Sequence, residues 1–127
     1  MSAIRTPIDA IAAFHEHFPD KTYDGKDKPL SDLERKTLER IEGIADSQPI
    51  AANLSSLIRA VWVAQTSGEL DQADLENSLW ALHELAGLIA HADLVSRNAA
   101  WRLQQDELNE LKRRLKEAEE KAQRRAA

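Results

Sequence analysis

The stretch from Leu70 to Ala126 constrains the fold more than any other part of the sequence. It contains no proline, and its only glycine is Gly87. Asp71 and Asp74 are placed to cap the free N–H groups of a first helical turn. The stretch predicts one long helix that is bent or broken at most once. Apolar side chains recur along it at steps of three and four residues, and so share one helix face: Leu75, Leu79, Leu82, Ala86 and Ile89.

A short helix is predicted near the start of the chain. Thr6 is a suitable cap, Pro7 suits the first helical position and Asp9 suits the third. Pro19 should end this helix, because a residue that precedes proline is disfavoured in helical geometry. Residues 19–30 then form a loop rich in Pro, Gly, Asp and Lys. We predict that this loop is a linker, with contact to a partner as the alternative.

Two more helices are predicted before the long one. The segment Ser31–Glu34 is a capping box that opens a helix through about Asp46. Pro49 begins the next helix, which ends at Gly68. Its apolar face is broader than one neighbour covers, so this helix should lie at the centre of the fold or form half of an interface. Its apolar residues are Ile50, Leu54, Leu57, Ile58, Val61 and Trp62.

The composition fits a single helical domain. The chain has 127 residues, of which 43% are apolar and 31% are charged, values typical of a folded protein rather than a disordered one. We predict an all-α fold, a helical bundle of about four helices. Residues 1–104 form its body, and residues 105–127 form a charged helical arm.

The arm carries a pattern typical of a coiled coil. Asp106 is placed to cap a new helix, which predicts a kink near residues 104–106. No clean apolar register is visible in the ten residues before it. The alternative to a coiled-coil-like arm is a solvated helix end that frays from about residue 118, because so short a coil is marginal alone. Apolar residues of the arm step by three and four: Leu108, Leu111, Leu115, Ala118 and Ala122.

Charge is unevenly distributed along the chain. Residues 112–127 carry seven basic and three acidic side chains, a net charge of +4. The other 111 residues carry ten basic and nineteen acidic side chains, a net charge of −9. The arm should therefore be attracted to an acidic body, either its own or that of a partner, within the roughly 8 Å that salt screening allows.

Motifs for common enzyme chemistry are absent. The chain has no cysteine, and its four glycines stand singly, so thiolate chemistry, zinc fingers and phosphate-binding loops are excluded. His15 and His17 point to different sides of a helix, while His83 and His91 lie about 80° apart around one. We therefore predict no catalytic residue, no cofactor and no metal ion, and we interpret the histidines as surface or boundary residues.

No targeting or membrane segment is recognised. The first 18 residues lack the apolar run and cleavage site of a signal peptide. No stretch approaches 18 uninterrupted apolar residues, so no membrane span is predicted. Together with the absence of cysteine, this favours a cytoplasmic location.

One acidic pattern provides an enzymatic alternative. Glu39 and Glu42 form an ExxE pair, and Asp71 and Asp74 form a later acidic pair. Carboxylates on facing helices can hold Mg²⁺ over the phosphates of a nucleotide. The pattern resembles that of all-α nucleotide pyrophosphohydrolases of the MazG type, although the second pair does not match the ExxD motif of that family. The resemblance implies a magnesium-dependent hydrolase with these four acids as ligands.

The basic arm provides a second alternative, binding of nucleic acid. Seven basic side chains could contact phosphates, but three glutamates interrupt them and the acidic body would be repelled. No helix-turn-helix spacing accompanies them. The basic residues are Lys112, Arg113, Arg114, Lys116, Lys121, Arg124 and Arg125.

The function that we predict is non-enzymatic protein binding. Three tryptophans in so small a chain are notable, because tryptophan is enriched where interfaces concentrate their binding energy. We predict a homodimer that docks a helical surface on an unidentified protein target, and by analogy of class a small bacterial or mobile-element regulator or inhibitor. The predicted interface residues are Trp62, Val63, Trp80, Arg97, Trp101, Arg102, Leu108, Leu111 and Leu115.

Overall fold

The protein is all-helical. The computed structural model describes residues 3–19 and 29–127, and no strand occurs in this part of the chain. Its helices are α1 (Pro7–His17), α2 (Asp32–Ile44), α3 (Ser47–Thr66) and α4 (Gln72–Ala126). The predicted all-α class is confirmed. Most of the predicted loop at residues 19–30 lies outside the described residues.

The helix starts follow the predicted capping chemistry. The Thr6 hydroxyl accepts from the Asp9 N–H at 3.2 Å, and the Asp9 carboxylate accepts from the Thr6 N–H at 3.0 Å. Ser31 and Glu34 make the same reciprocal pair at the start of α2. Asp71 accepts from the N–H of Asp74 at 2.8 Å. These bonds satisfy donors that a helix start otherwise leaves unpaired.

The hydrophobic core lies where α1, α2 and the middle of α4 meet. Leu38 and Ile41 of α2 and Val95 of α4 are its largest fully buried side chains. Phe14 and Phe18 close the core from the side of α1, with their rings stacked 5.9 Å apart. This three-helix body is the only part of the described chain where buried apolar side chains form a cluster.

The core-facing residues of α4 form a regular stripe that was not recognised in the sequence. They step alternately by three and four residues, so they share one face of the helix. The prediction that this region has no clean register was wrong, because the stripe is built largely of small and polar side chains rather than leucines. Its members are Ala92, Val95, Ala99, Arg102, Asp106 and Asn109.

Helix α3 lies at the edge of the fold rather than at its centre. None of its 20 residues is buried, and among the described helices it packs only against α4. Gly68, with a φ of +75°, provides the left-handed turn after α3. Helix α3 and residues 72–93 of α4 therefore form a two-helix hairpin that projects from the body. The prediction of a central position is corrected, whereas the alternative of half an interface remains open.

Helix α4 runs unbroken through 55 residues, which corresponds to a length of about 80 Å. No break occurs at residues 104–106, where a kink was predicted. From residue 111 onward every side chain of α4 is exposed. The helices therefore do not enclose one shared four-helix core. The described chain consists of the hairpin at one end, the three-helix body in the middle and, at the other end, the part of the arm that extends beyond the last buried residue, residues 110–126.

Candidate interaction surface

The hairpin exposes large apolar side chains on its outer surface. Trp62 and Val63 of α3, two of the residues for which an interface role is predicted, are exposed, and Trp80 on α4 is 65% exposed. Burial of such side chains from water normally contributes about 1.5–3 kcal/mol each, so leaving them in solvent forfeits that stabilisation. The other large apolar residues exposed on the hairpin are Leu57, Ile58 and Leu79.

A second exposed surface runs along almost the whole of α4. Large apolar residues recur there every seven residues, and Gly87 occupies one position of the same series. Each one on the body stands two positions after one core residue and one position before the next, about 100° round the helix from the nearer of the two. The row therefore flanks the core stripe. We call this row the seam: Trp80, Gly87, Leu94, Trp101, Leu108 and Leu115.

A second row of residues runs beside the seam, with each member three residues after a seam residue. This second row is mostly small or polar, apart from Leu111, which is exposed. A pair of rows spaced three and four residues apart is the pattern by which helices pair in coiled coils. The second row consists of His83, Ala90, Arg97, Gln104, Leu111 and Ala118.

Arg102, predicted as an interface residue, is part of the body instead. It is only 7% exposed, and its guanidinium lies 5.4 Å from the Phe14 ring centroid and 5.7 Å from that of Phe18. It also donates to the backbone carbonyl of Phe18 at 3.3 Å. These contacts hold the end of α1 against α4, so Arg102 is removed from the candidate surface.

Arg97 and Trp101 remain accessible. Arg97 donates to the Asp93 carboxylate at 2.9 Å, one turn earlier on α4, and both side chains are exposed to solvent. Trp101 is 45% exposed. It borders a cavity of about 320 Å³ between the end of α1 and α4, which Phe14 and Leu94 also line.

Asp106 anchors the body electrostatically. It is 3% exposed, and its carboxylate accepts from the Leu30 N–H at 2.9 Å and from the Arg35 guanidinium at 2.9 Å. The hydrogen bond with Asp106 is the main cause that raises the pKa of Arg35 above its ordinary value. Asp106 is thus neither a helix cap nor a surface acid, and it ties the start of α2 to α4.

The four acids of the enzymatic alternative do not come together within the chain. The Glu42 backbone carbonyl accepts from the Ser96 hydroxyl at 3.0 Å, which places the ExxE pair beside residue 96 of α4. Asp74 lies 22 residues earlier on the same helix, about 33 Å away. The ExxE pair instead faces Glu107 and Glu110 across a groove of about 520 Å³. No three metal-ligating side chains in the described chain are close enough to hold one ion.

Two histidines that were considered separately in the sequence meet across the body. The Nε2 atoms of His15 on α1 and His91 on α4 are 3.0 Å apart, with ring centroids 5.3 Å apart. His83 lies elsewhere, with its ring centroid 5.7 Å from that of Trp80. The pairing was missed because 76 residues separate His15 from His91, and no local spacing indicates so distant a contact.

The basic arm is partly neutralised by its own acids. Arg113 and Arg114 both contact the Glu110 carboxylate, at 2.6 Å and 3.3 Å. The remaining basic side chains of the arm are exposed around the helix. A single helix with interleaved glutamates therefore presents a mixed surface rather than a continuous basic face.

Comparisons with known proteins leave the geometry as the main guide to function. The chain gives no significant match to protein-family models, to curated proteins or to solved structures. Within the described residues, no helix is both long enough and apolar enough to cross a membrane.

Proposed function

We propose that this protein is a non-enzymatic, protein-binding regulator or adaptor that works as a homodimer. The observation that carries the proposal is the hairpin. Helix α3 is apolar yet has no buried residue, and it presents two tryptophan-bearing surfaces together with α4. Helices gain most of their stability by packing an apolar face, so this surface favours a partner.

The two exposed surfaces suit two different partners. The outer face of α3 is short and compact, and it carries Leu57, Ile58, Trp62 and Val63. A face of this kind suits docking into a groove of a target protein, with the aromatic ring as the anchor. The seam on α4 is long and repeats every seven residues, which suits a second helix of the same kind. The mechanism is steric: the docked face blocks or recruits its target.

Capture from a lysate of the source organism tests the docking role. We expect the wild-type chain to retain a defined protein after nuclease treatment, and Trp62→Glu to lose it because a charge replaces the central anchor. Ile8→Glu is the matched control, since Ile8 on α1 is similarly exposed but lies outside the hairpin. Its capture should equal that of the wild type.

Other outcomes would redirect the interpretation. Material that is released by nuclease, with a steep loss of binding as salt is added, would favour the nucleic-acid alternative. Retention of the same protein by Trp62→Glu would show that the α3 face is not the docking surface. Hydrolysis of nucleoside triphosphates with Mg²⁺ or Mn²⁺ would favour the enzymatic alternative.

A further inference from the structure

We infer that the seam pairs with the seam of a second copy in the antiparallel direction, with residue 99 of each chain near the two-fold axis. This inference rests on the homodimer of the proposed function and specifies its geometry. The occupant of the seam is a second copy because the pattern of α4 is complementary to itself, both in charge and in side-chain size.

Charge decides the direction. Residues 72–93 of α4 carry four acidic and no basic side chains, whereas residues 110–126 carry seven basic and four acidic ones. A parallel pair would place two basic arms side by side, which is unfavourable. An antiparallel pair places each arm beside the acidic end of the partner's α4, with Asp74 level with the partner's Arg124 and Glu84 level with the partner's Arg114.

An arm cannot reach the hairpin of its own chain. Both segments belong to one unbroken helix of 55 residues, and the body lies between them. An uninterrupted helix keeps its ends far apart. The attraction between arm and hairpin is therefore satisfied only between two chains.

Side-chain size fixes the register. In an antiparallel coil each seam residue packs beside a residue of the second row on the partner, and a register centred on residue 99 aligns all six layers. Large residues then meet small ones in three of the six layers, two leucines meet polar side chains, and Trp101 meets a guanidinium, which favours a cation–π contact. The layers are Trp80 with Ala118, Gly87 with Leu111, Leu94 with Gln104, Trp101 with Arg97, Leu108 with Ala90, and Leu115 with His83.

The pairing leaves the α3 side of the hairpin free. On the body the seam flanks the core stripe. In the hairpin most of the partly buried residues of α4 lie roughly 140–220° around the helix from Trp80, so the side that faces α3 differs from the seam. A strict seven-residue repeat drifts by about 20° per heptad on a straight helix, so the pair should coil left-handed. The α3 face stays exposed in the dimer for a target.

Disulfide trapping tests the direction and the register together. The natural chain has no cysteine, so Ala86→Cys and Arg114→Cys each introduce one thiol beside the seam. In the antiparallel register these two positions are neighbours across the dimer. In either variant alone the two identical thiols lie far apart along the pair, about 26 residues (roughly 39 Å) for position 86 and about 30 residues (roughly 45 Å) for position 114. We expect mild oxidation to link a mixture of the two variants and to link neither variant alone.

The outcomes separate this inference from the proposed function. Linkage of Ala86→Cys alone would show a parallel pair and overturn the inference while leaving a homodimer. If light scattering shows a dimer but no disulfide forms at these positions, the proposed pairing through the seam is wrong and the homodimer still stands. A chain that is monomeric at every concentration would overturn both.

The geometry of the His15–His91 pair points to an independent site, one for a late first-row divalent metal ion such as Cu²⁺, Ni²⁺ or Zn²⁺. Two imidazole nitrogens on one such ion lie about 2.9 Å apart at a right angle and about 3.4 Å apart at the tetrahedral angle. The observed separation of 3.0 Å lies within this range. A metal ion bound to both Nε2 atoms would replace the hydrogen bond that now joins them.

The residues around the His15–His91 pair determine how an ion would enter and which other ligands it would need. Both histidines are exposed, so an ion can enter without opening the body. No third ligating side chain completes a cluster among the described residues, so water fills the remaining positions. Imidazole and water suit Cu²⁺, Ni²⁺ and Zn²⁺ better than Mg²⁺ or Ca²⁺. The bound ion would link the last turn of α1 to α4.

Titration of the tag-free, chelator-treated chain with NiCl2 and ZnCl2 tests this site. We expect one ion per chain and a melting temperature that rises with metal concentration. His15→Gln and His91→Gln should each bind at least about tenfold more weakly, because one of two protein ligands is lost. His17→Gln and His83→Gln are matched controls, since each removes one exposed histidine outside the pair.

The imidazole nitrogen signals of the wild-type chain provide a second readout that needs no variant. Zn²⁺ should shift the Nε2 resonances of His15 and His91 and leave those of His17 and His83 in place. Equal binding by all four variants, or an absence of binding at metal concentrations well above that of the protein, would overturn the site.

Discussion

At the scale of single residues, Asp106 is the clearest electrostatic anchor. Replacing it with alanine removes the acceptor of the Leu30 N–H and leaves Arg35 without its buried partner. We expect Asp106→Ala to lower the free energy of unfolding by about 2–3 kcal/mol, less than for a fully buried pair because Arg35 is partly exposed. Urea unfolding measures this value.

Asp32 provides the matched control for Asp106. It is the other carboxylate that contacts Arg35, at 3.4 Å, but its side chain is 93% exposed. Asp32→Ala should change the free energy of unfolding by less than about 1 kcal/mol, as for other exposed pairs. Equal losses for the two variants would contradict the assignment of Asp106 as the anchor.

The Asp9 carboxyl group should make the stability of the protein depend on pH. Hydrogen bonds from the backbone N–H groups of Arg5 and Thr6 lower the pKa of Asp9 below its ordinary value of 3.8. A carboxyl group whose pKa is lower when folded binds fewer protons than in the unfolded chain. Its contribution is therefore fully present well above pH 3.8 and is lost as the pH falls through the folded pKa.

The comparison of wild type with Asp9→Asn measures that contribution. The difference in stability between the two chains should be constant near neutral pH and should shrink below about pH 4. Urea unfolding at a series of pH values provides the measurement. A difference that grows on acidification would contradict the role of the Asp9 carboxylate as a cap.

At the scale of helices and turns, replacing two of the glycines with alanine should have opposite effects on stability. Gly43 lies in α2, and a Cβ atom there would meet nothing within 4 Å. Gly43→Ala should raise the stability by about 0.5–1 kcal/mol, because alanine is the better helix former. Gly68 has a φ of +75°, so Gly68→Ala should lower the stability by about 1–2 kcal/mol. Thermal unfolding compares the two, and a gain at Gly68 would contradict the left-handed turn.

The helix starts could be predicted from the sequence because capping is local. The Thr6–Asp9 and Ser31–Glu34 pairs lie three residues apart, and both form the expected reciprocal bonds. The core stripe of α4 could not be predicted, because Arg102 and Asp106 are buried through contacts with Phe14, Phe18, Leu30 and Arg35. Those partners are distant in the chain, so hydrophobic periodicity does not reveal them.

The candidate surface could be predicted only in part, because the sequence shows which residues are apolar but not which of them have neighbours. The apolar breadth around Trp62 and Trp80 indicated surplus surface, and both side chains are exposed. The sequence did not reveal that α3 lacks neighbours beyond α4, because an apolar helix face looks the same whether its partner is in the same chain or another. The His15–His91 contact likewise depends on the packing of α1 on α4.

At the scale of the whole molecule, the arm can be separated from the body. The last buried residue of the core stripe is Asn109, and all side chains from residue 111 onward are exposed. A chain that ends at Glu110 should therefore keep its folded body while losing the basic half of the proposed pairing. We expect it to unfold cooperatively but to dimerise at least about tenfold more weakly than the full chain, because three of the six layers, those that contain Leu111, Leu115 or Ala118, are removed.

Circular dichroism and sedimentation measure these two properties of the shortened chain. Retained dimerisation would show that the seam does not depend on the arm. Loss of the cooperative transition would show that the arm stabilises the body directly. The double variant Lys112→Glu and Lys116→Glu of the full chain tests the charge contribution without truncation, and it should weaken the dimer more at low salt than at high salt.

The most direct test of the account is the mass of the full chain by light scattering over a range of concentrations. The exposed apolar surface of the hairpin and seam favours association of two chains. Such a dimer has a predictable mass and fluorescence. We expect a particle of twice 14.3 kDa that dissociates on dilution, with tryptophan emission moving to longer wavelength as Trp80 and Trp101 become solvated. A mass of 14.3 kDa at every concentration, with unchanged emission, would contradict the homodimer.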